Sequence, residues 1–246
     1  MNYKTELHCH SSLVSACGKI SPAEIIEKYV AAGDTSLVLT EHLNSKTFKS
    51  DKYTGDPDSW KEKIDYFFAG YETLKKEAAG RLHILLGAEL RIHHSEKLYY
   101  GVSDFLCYGL TKEFLYENSD ILDLCFKDFS KRIRGAGILL YQAHPFRNYM
   151  CVMPPSLLDG IEVYNCNPAH DSRNDVADLW ADRFGLPKIS GSDIHRARYL
   201  AAGGIVTESP ITTNEELLTV LRNGNYSLIR EDFLNWDKTG LEQSKG

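Results

Sequence analysis

Two histidines one residue apart close an apolar run near the start of the chain, in Leu7-His8-Cys9-His10. Alternate side chains of an extended strand share a face, so His8 and His10 can grip one cation together. The same donor types recur at the ends of later apolar runs. Thr40-Glu41-His42 closes one, Glu89 ends Ile84-Leu85-Leu86-Gly87-Ala88, and His144 follows Leu139-Leu140-Tyr141-Gln142-Ala143 and precedes Pro145. Asp193 and His195 follow Ile189-Ser190-Gly191-Ser192 at the same alternate spacing as the first pair. An HxH pair or a single strand-end histidine is commonplace. Imidazole or carboxylate at five separate strand ends is hard to explain as core packing. Such nitrogen and oxygen donors suit Zn, Mn or Fe(II). Cations held together in this way lower the pKa of a shared water from ~15.7 towards ~7, the chemistry of metal-assisted hydrolysis.

These residues need a scaffold that gathers strand ends. Short apolar runs alternate with longer amphipathic ones, the pattern of βα units. Strands are predicted over 4–8, 36–40, 83–90, 105–108, 137–142, 160–164, 188–190 and 204–207, and helices over 22–32, 58–79, 120–135, 171–184 and 214–223. Ser21-Pro22-Ala23-Glu24 is a helix start with a capping box and an early proline, and Thr213-Asn214-Glu215-Glu216 repeats the Thr-x-x-Glu form. Residues 45–59 and 93–103 are the longest expected loops. No repeat or low-complexity linker divides the chain, so one domain over 1–235 with a polar tail over 236–246 is the economical reading. In a parallel barrel the carboxyl ends of all strands converge on one face, which would bring the scattered donors together.

Composition narrows the class. The chain has 246 residues, 43% hydrophobic and 25% charged, ordinary for a globular protein with a full core. A formal charge of −6 argues against an extended nucleic-acid-coating surface but leaves room for a small phosphorylated substrate or a nucleotide. Six scattered cysteines form no CxxC pair, the first residues lack a charged-then-apolar leader, and no apolar stretch nears membrane-spanning length. These features lead to the expectation of a reduced, cytoplasmic protein with no membrane attachment.

The ordered series HxH, T-E-H, G-A-E, A-H-P and G-S-D-x-H resembles the PHP (polymerase and histidinol phosphatase) family, over residues 6–204. Gly160-Ile161-Glu162-Val163-Tyr164-Asn165 and Ser172-Arg173-Asn174 also look familial. The resemblance implies an α/β fold, a distorted (β/α)7 TIM-like barrel in a single domain, with a two- or three-metal site. By that resemblance His8, His10, Glu89 and Asp193 hold a first metal. His42 and His195 hold a second, and Glu89 and His144 a third, with Glu89 bridging. Two departures stand out. The family places an acidic residue shortly after the HxH, before a glycine, where this chain has Cys17-Gly18. A histidine that many relatives carry after the strand near residue 108 is replaced by Gly109-Leu110. Cys17 could be a thiolate ligand favouring zinc, water could take its place, or it could be a buried structural thiol. His93 or His94 could substitute at the third metal.

Asp193 and His195 are also candidates to carry protons in catalysis. Arg147, three residues after His144, and Arg173, at a helix start, are candidates to bind a phosphate bidentately; Arg196 and Arg198 are weaker ones. Tyr141, Phe146 and Tyr164 could flank a base, although barrel aromatics are commonly core. The expected function is a metal-dependent hydrolase of phosphate esters of a small molecule or nucleotide, using a metal-bridging hydroxide. The alternatives are a non-phosphate, amidohydrolase-like hydrolase and a catalytically weak metal-binding regulatory domain.

Overall fold

A computed structural model describes residues 2–96 and 99–230. Its elements run β1 (Tyr3–Cys9), α1 (Pro22–Ala31), β2 (Asp34–Leu39), β3 (His42–Leu43), α2 (Trp60–Ala78), β4 (His83–Glu96), β5 (Tyr99–Tyr108), α3 (Lys112–Glu117) and α4 (Phe126–Gly135). β6 (Leu139–Gln142), β7 (Gly160–Asn165), α5 (Asn174–Phe184), β8 (Lys188–Gly191), β9 (Ile205–Thr207), α6 (Asn214–Asn223) and β10 (Ser227–Leu228) follow. The strand order is β10-β9-β1-β2-β4-β5-β6-β7-β8, with β3 beside β4. Beyond β8 the backbone returns to β1: Asp193 N–H donates to His8 O (2.8 Å) and His10 N–H to Ile194 O (3.2 Å). The seven staves β1, β2, β4, β5, β6, β7 and β8 therefore close nearly into a barrel, as expected.

The barrel is not uniformly parallel. β5 runs antiparallel to both β4 and β6, and β9 and β10 form an antiparallel extension at the foot of β1. The β4–β5 hairpin occupies most of the segment expected as a loop over 93–103, pairing Ile92 with Ser103 and His93 with Val102. Its alternation is real but polar: Ile92 and His94 are buried, while His93 between them is exposed. A strand whose buried face includes an imidazole is easily read as a loop.

Helix starts follow local chemistry. The Ser21 and Thr213 capping boxes both form, with Glu24 and Glu216 returning to the cap backbone. α2 begins two residues later than predicted because Ser59 takes the cap, accepting from Glu62 N. α5 begins at Asn174 rather than 171, since Arg173 is left-handed (φ 49°) and its N–H is held by Asp171 Oδ1. The six-residue α3 was absent from the prediction; one and a half turns leave no periodicity to detect. α4 is shorter than predicted, with turns over 120–123.

Two apolar clusters hold the layers. Leu7, Val38, Leu85, Leu106, Tyr108, Tyr141, Ile189 and Ile205 pack together in one and are capped by Leu217 and Leu221 of α6. Leu37, Leu39, Leu86, Leu90, Phe105 and Leu140 pack under the other helices in the second. Tyr141 is thus a barrel aromatic, and Tyr164 is buried on β7. No helix of the described residues is long and apolar enough to cross a membrane. None of the six cysteines forms a disulfide. The predicted tail over 236–246 lies outside the described residues.

Candidate metal centre

At the bulge in β1, between Glu6 and Cys9, the Leu7 and His8 amides both donate to Glu6 Oε1, at 2.9 and 2.8 Å. A bulge re-aims side chains at a strand end. Here Cys9 packs under the helices while His8 and His10 face each other, Nε2 to Nε2 at 3.1 Å, at the barrel mouth. Glu89, from the middle of β4, enters the same space. Its Oε2 lies 3.5 Å from His8 Nε2, 3.2 Å from His10 Nε2 and 2.8 Å from His42 Nδ1, while its Oε1 lies 3.1 Å from His144 Nε2. One carboxylate thus presents its two oxygens to two different groups of imidazoles. Asp193 Oδ1 completes the other side, 3.5 Å from His8 Nε2, 3.4 Å from His10 Nε2 and 3.2 Å from His195 Nδ1.

All seven residues expected as ligands therefore meet at one place. Three overlapping sets have donor atoms close enough to share an ion: His10, His42 and His195; His8, Glu89 and His144; His8, His10 and Asp193. The donor set fits divalent cations. Glu89 Oε2, Asp193 Oδ1, His42 Nδ1 and His144 Nδ1 are buried and lack a directed hydrogen bond. Buried polar atoms in native proteins are normally hydrogen-bonded, so Glu89 Oε2, Asp193 Oδ1 and His42 Nδ1, left without a directed bond inside one cluster, mark a place built for something else.

Electrostatics agree. Burial disfavours the charged forms, yet the charges of Glu162, Asp193 and Glu89 hold the His8 pKa well above its ordinary value. Against the same penalty, the Glu89 charge and then contacts with Cys17 and Glu89 raise His42 to about 10. Asp193 and then Cys17 raise His195 to about 11. Glu89 and Asp193 are held well below the usual carboxylate range by the surrounding imidazoles, despite their burial. The protein alone thus holds protons where cations would compete for the same lone pairs.

A further layer fixes these ligands. Glu162 Oε1 accepts from, or pairs with, His8 Nδ1 at 2.8 Å, leaving Nε2 for the centre. Its Oε2 accepts from His144 N–H (2.9 Å) and Asn165 Nδ2 (3.0 Å), and Asn165 also donates to Asp193 Oδ2 at 3.2 Å. Such carboxylate–histidine pairs set the ligand's tautomer and direction. His144 (φ 28°) and Asp193 (φ 48°) both occupy left-handed backbone. The network compensates the strain of these conformations, which non-glycine residues rarely adopt. Gly191 allows the close approach: a Cβ there would lie 2.4 Å from His8 Cβ and 2.6 Å from Glu162 Oε1.

A cavity of about 360 Å3 opens over the cluster, and Arg91, Arg147, Asn167 and Arg196 join its lining. Arg147 lies 3.3 Å from His170 Nε2 and 3.7 Å from Asp104 Oδ2; Arg91 holds Asp104 by two contacts of 2.6 Å. Arg173 is placed differently. Its guanidinium donates to Phe146 O and Asn148 Oδ1, bracing the loop that follows His144. His94 hydrogen-bonds Ser103 Oγ at 3.0 Å and stands against Phe126, within the hairpin's packing, and His93 is exposed. Cys17 is exposed rather than buried, which removes the reading of it as a buried structural thiol. Desolvation opposes ionisation of its thiol, but His195 and His42 bring the pKa down to about 5.

Residue-type reasoning missed Arg91 and His170. His170 reaches Asp193 Oδ2 at 3.8 Å, and burial followed by the Arg147 charge lowers its pKa to about 4. It follows no apolar run, so only the Asn167-Pro168-Ala169-His170 loop itself could have pointed to it. Arg91 sits two residues beyond Glu89 on the same strand face, a signal that the strand period does carry.

A family model described as PHP-associated matches residues 171–226. The curated proteins contain no match. Among solved structures, a two-domain Bacteroides vulgatus protein containing a predicted PHP-like metal-dependent phosphoesterase is similar over 93% of this chain and 64% of its own, at 17% identity and TM-score 0.61. The lesion-specific endonuclease PfuEndoQ from Pyrococcus furiosus is similar over 93% and 58%, at 16% identity and TM-score 0.62. An amidohydrolase from Chromobacterium violaceum, with bound sulfate, is similar over 92% and 98%, at 16% identity and TM-score 0.50. The chain thus spans less than two thirds of the first two proteins. The chain shares its barrel with these structures, and its 171–226 segment matches the PHP-associated model, so it is similar in fold to proteins of the PHP type.

Proposed function

We propose that the chain is a metal-dependent phosphoesterase acting on a phosphate ester of a small molecule or nucleotide. The observation that carries this reading is Glu89, whose Oε2 faces His10 and His42 and whose Oε1 faces His144, within a buried cluster where Glu89 Oε2, Asp193 Oδ1 and His42 Nδ1 lack a directed hydrogen bond. His8, His10, Glu89 and Asp193 would hold one cation, His42 and His195 a second, and Glu89 with His144 a third. Bound there, Zn, Mn or Fe(II) would supply Lewis acidity that makes hydroxide available near neutral pH.

The chain's own residues do the rest. Arg91 and Arg147, with Asp104 between them, put two guanidinium groups on the rim where an anionic substrate would enter. Arg173 serves this site indirectly, by holding the loop that carries Arg147. Asp193 and His195, 3.2 Å apart in the cavity lining, would take a proton from the attacking water and return one to the leaving oxygen. The confined cavity and the formal charge of −6 favour a small substrate or a nucleotide end over a long duplex. Six cysteines without a disulfide suit a reducing, cytoplasmic setting.

A phosphate-release screen over sugar phosphates, nucleotides and oligonucleotide ends, with each metal in turn, tests the reading. Metal-dependent release on at least one phosphoester is expected. Turnover of amides or lactones with none on phosphoesters would favour the amidohydrolase-like alternative, which one of the similar structures motivates. Inertness on every panel with metal still bound would favour a regulatory domain.

A further inference from the structure

The candidate donors for the second cation are neutral when they ligate: His42 and His195, gathered beside His10, supply imidazole nitrogens but no charge. One ionisable group stands beside them. Cys17 lines the same cavity as His42, Glu89, Asp193 and His195, and its exposed thiol interacts with both His42 and His195. We propose that Cys17 is a thiolate ligand of the cation held by His42 and His195.

The position is prepared by its neighbours. Glu41 accepts from the Ser11 and Ser15 amides at 3.0 and 2.9 Å, closing the 11–15 segment over one carboxylate. Gly18 N–H donates to Ser15 O (3.0 Å), Lys19 N–H to His195 O (2.8 Å), and Lys52 Nζ to the carbonyls of Ser15 (2.6 Å) and Gly18 (3.0 Å). Gly18 has no alternative, since a Cβ would lie 1.8 Å from Ser11 O. Cys17 is therefore held between the pinned Ser15 and Gly18, with the Lys19 amide two residues on bonded to the backbone of a candidate ligand. Independently of that loop, His42 Nδ1, Glu89 Oε2 and Asp193 Oδ1 are buried within the cluster and lack a directed hydrogen bond, although charged neighbours stand close to each. They indicate that a ligand belongs there. On binding, the S–H bond breaks, its proton leaves to solvent, and sulfur donates an electron pair to the metal. A thiolate neutralises one unit of the cation's charge and, being soft, biases this position towards zinc over manganese or iron(II).

The inference rests on the metal-centre reading, and X-ray absorption of the zinc-loaded full chain separates the two. Zinc–sulfur scattering at about 2.3 Å is expected beside nitrogen and oxygen at about 2.0–2.1 Å. C17S should lose the sulfur shell, keep the apoprotein's melting temperature, and weaken the second metal on the order of 10–100-fold. C17D should keep most of that affinity with a shell of nitrogen and oxygen only, and should tolerate manganese better than the wild type. Cobalt(II) substitution gives a second readout, a sulfur-to-cobalt charge-transfer band present in the wild type and absent from both variants. Zinc bound without sulfur, or a sulfur shell that survives in C17S, overturns the Cys17 assignment while leaving the metal centre standing. A wild-type chain that binds no zinc overturns both.

Discussion

Glu89 and Asp193 each work through two oxygens, and the residues around them determine how that work can fail. Glu162 touches no cation in this scheme, yet it aims His8 and holds the His144 amide. Glu162→Gln should therefore lower metal affinity or turnover about 10–100-fold with little change of fold, checked by metal titration and circular dichroism. Protons compete directly with metal. With His42 raised to about 10 and His195 to about 11, both imidazoles are charged at neutral pH in the metal-free protein. Metal uptake must expel those protons, so apparent affinity should fall as pH drops from about 8 to 6, and calorimetry in buffers of different ionisation enthalpy should reveal proton release. A pH-independent affinity over that range would contradict these assignments. At this scale most of the site was legible. All seven donors were identifiable because each sits where an apolar run ends. Arg173 was not, because residue type shows that a guanidinium can bind phosphate but not that Phe146 O and Asn148 Oδ1 already engage it.

Elements place these residues through a few intolerant joints. Gly191, at the end of β8, lets His8 and Glu162 close on one another, and any side chain there collides with both. Gly191→Ala should destabilise the fold by on the order of 1–3 kcal/mol and abolish tight metal binding, measured by thermal melting and metal content. A stable, metal-replete variant would show that the approach is not required. At the start of β2, Asp34 is buried and its Oδ1 lacks a hydrogen bond. Burial, reinforced by Glu6 and only partly offset by Lys4, raises its pKa to about 8. The folded state then binds a proton that the unfolded state has released above about pH 4. Stability is thereby lost progressively as pH rises from about 4 to 8, and Asp34→Asn should flatten that decline in melting temperature. The main strands and capped helices were readable from periodicity and from Ser21 and Thr213. The β1 bulge and the β4–β5 hairpin were not, because the bulge is set by Glu6 bonding across the fold to Ser192, and the hairpin buries a polar histidine.

The whole barrel converts these joints into one centre by closing β8 onto β1. His8, Asp193 and His195 lie on the two sides of that seam, where Asp193 N–H bonds His8 O. A cation held across it should tighten the barrel, since a ligand that binds only the folded state stabilises by about 2.7 kcal/mol at a hundredfold excess over Kd. Chelation should therefore lower the melting temperature of the wild type but not that of Glu89→Gln. The parallel barrel read from the alternating βα pattern led to the right closure and the right convergence of strand ends; the reversed β5 lay beyond it, since direction leaves no trace in an apolar run. The central claim is a shared cation centre organised by Glu89, and metal content measures it most directly. Elemental analysis of protein equilibrated with zinc and dialysed should find about two or more ions per wild-type chain, as expected for a site built to hold a metal pair. Glu89→Gln should retain about one or fewer. Fewer than about one ion in the wild type, or an unchanged number in the variant, would contradict the account.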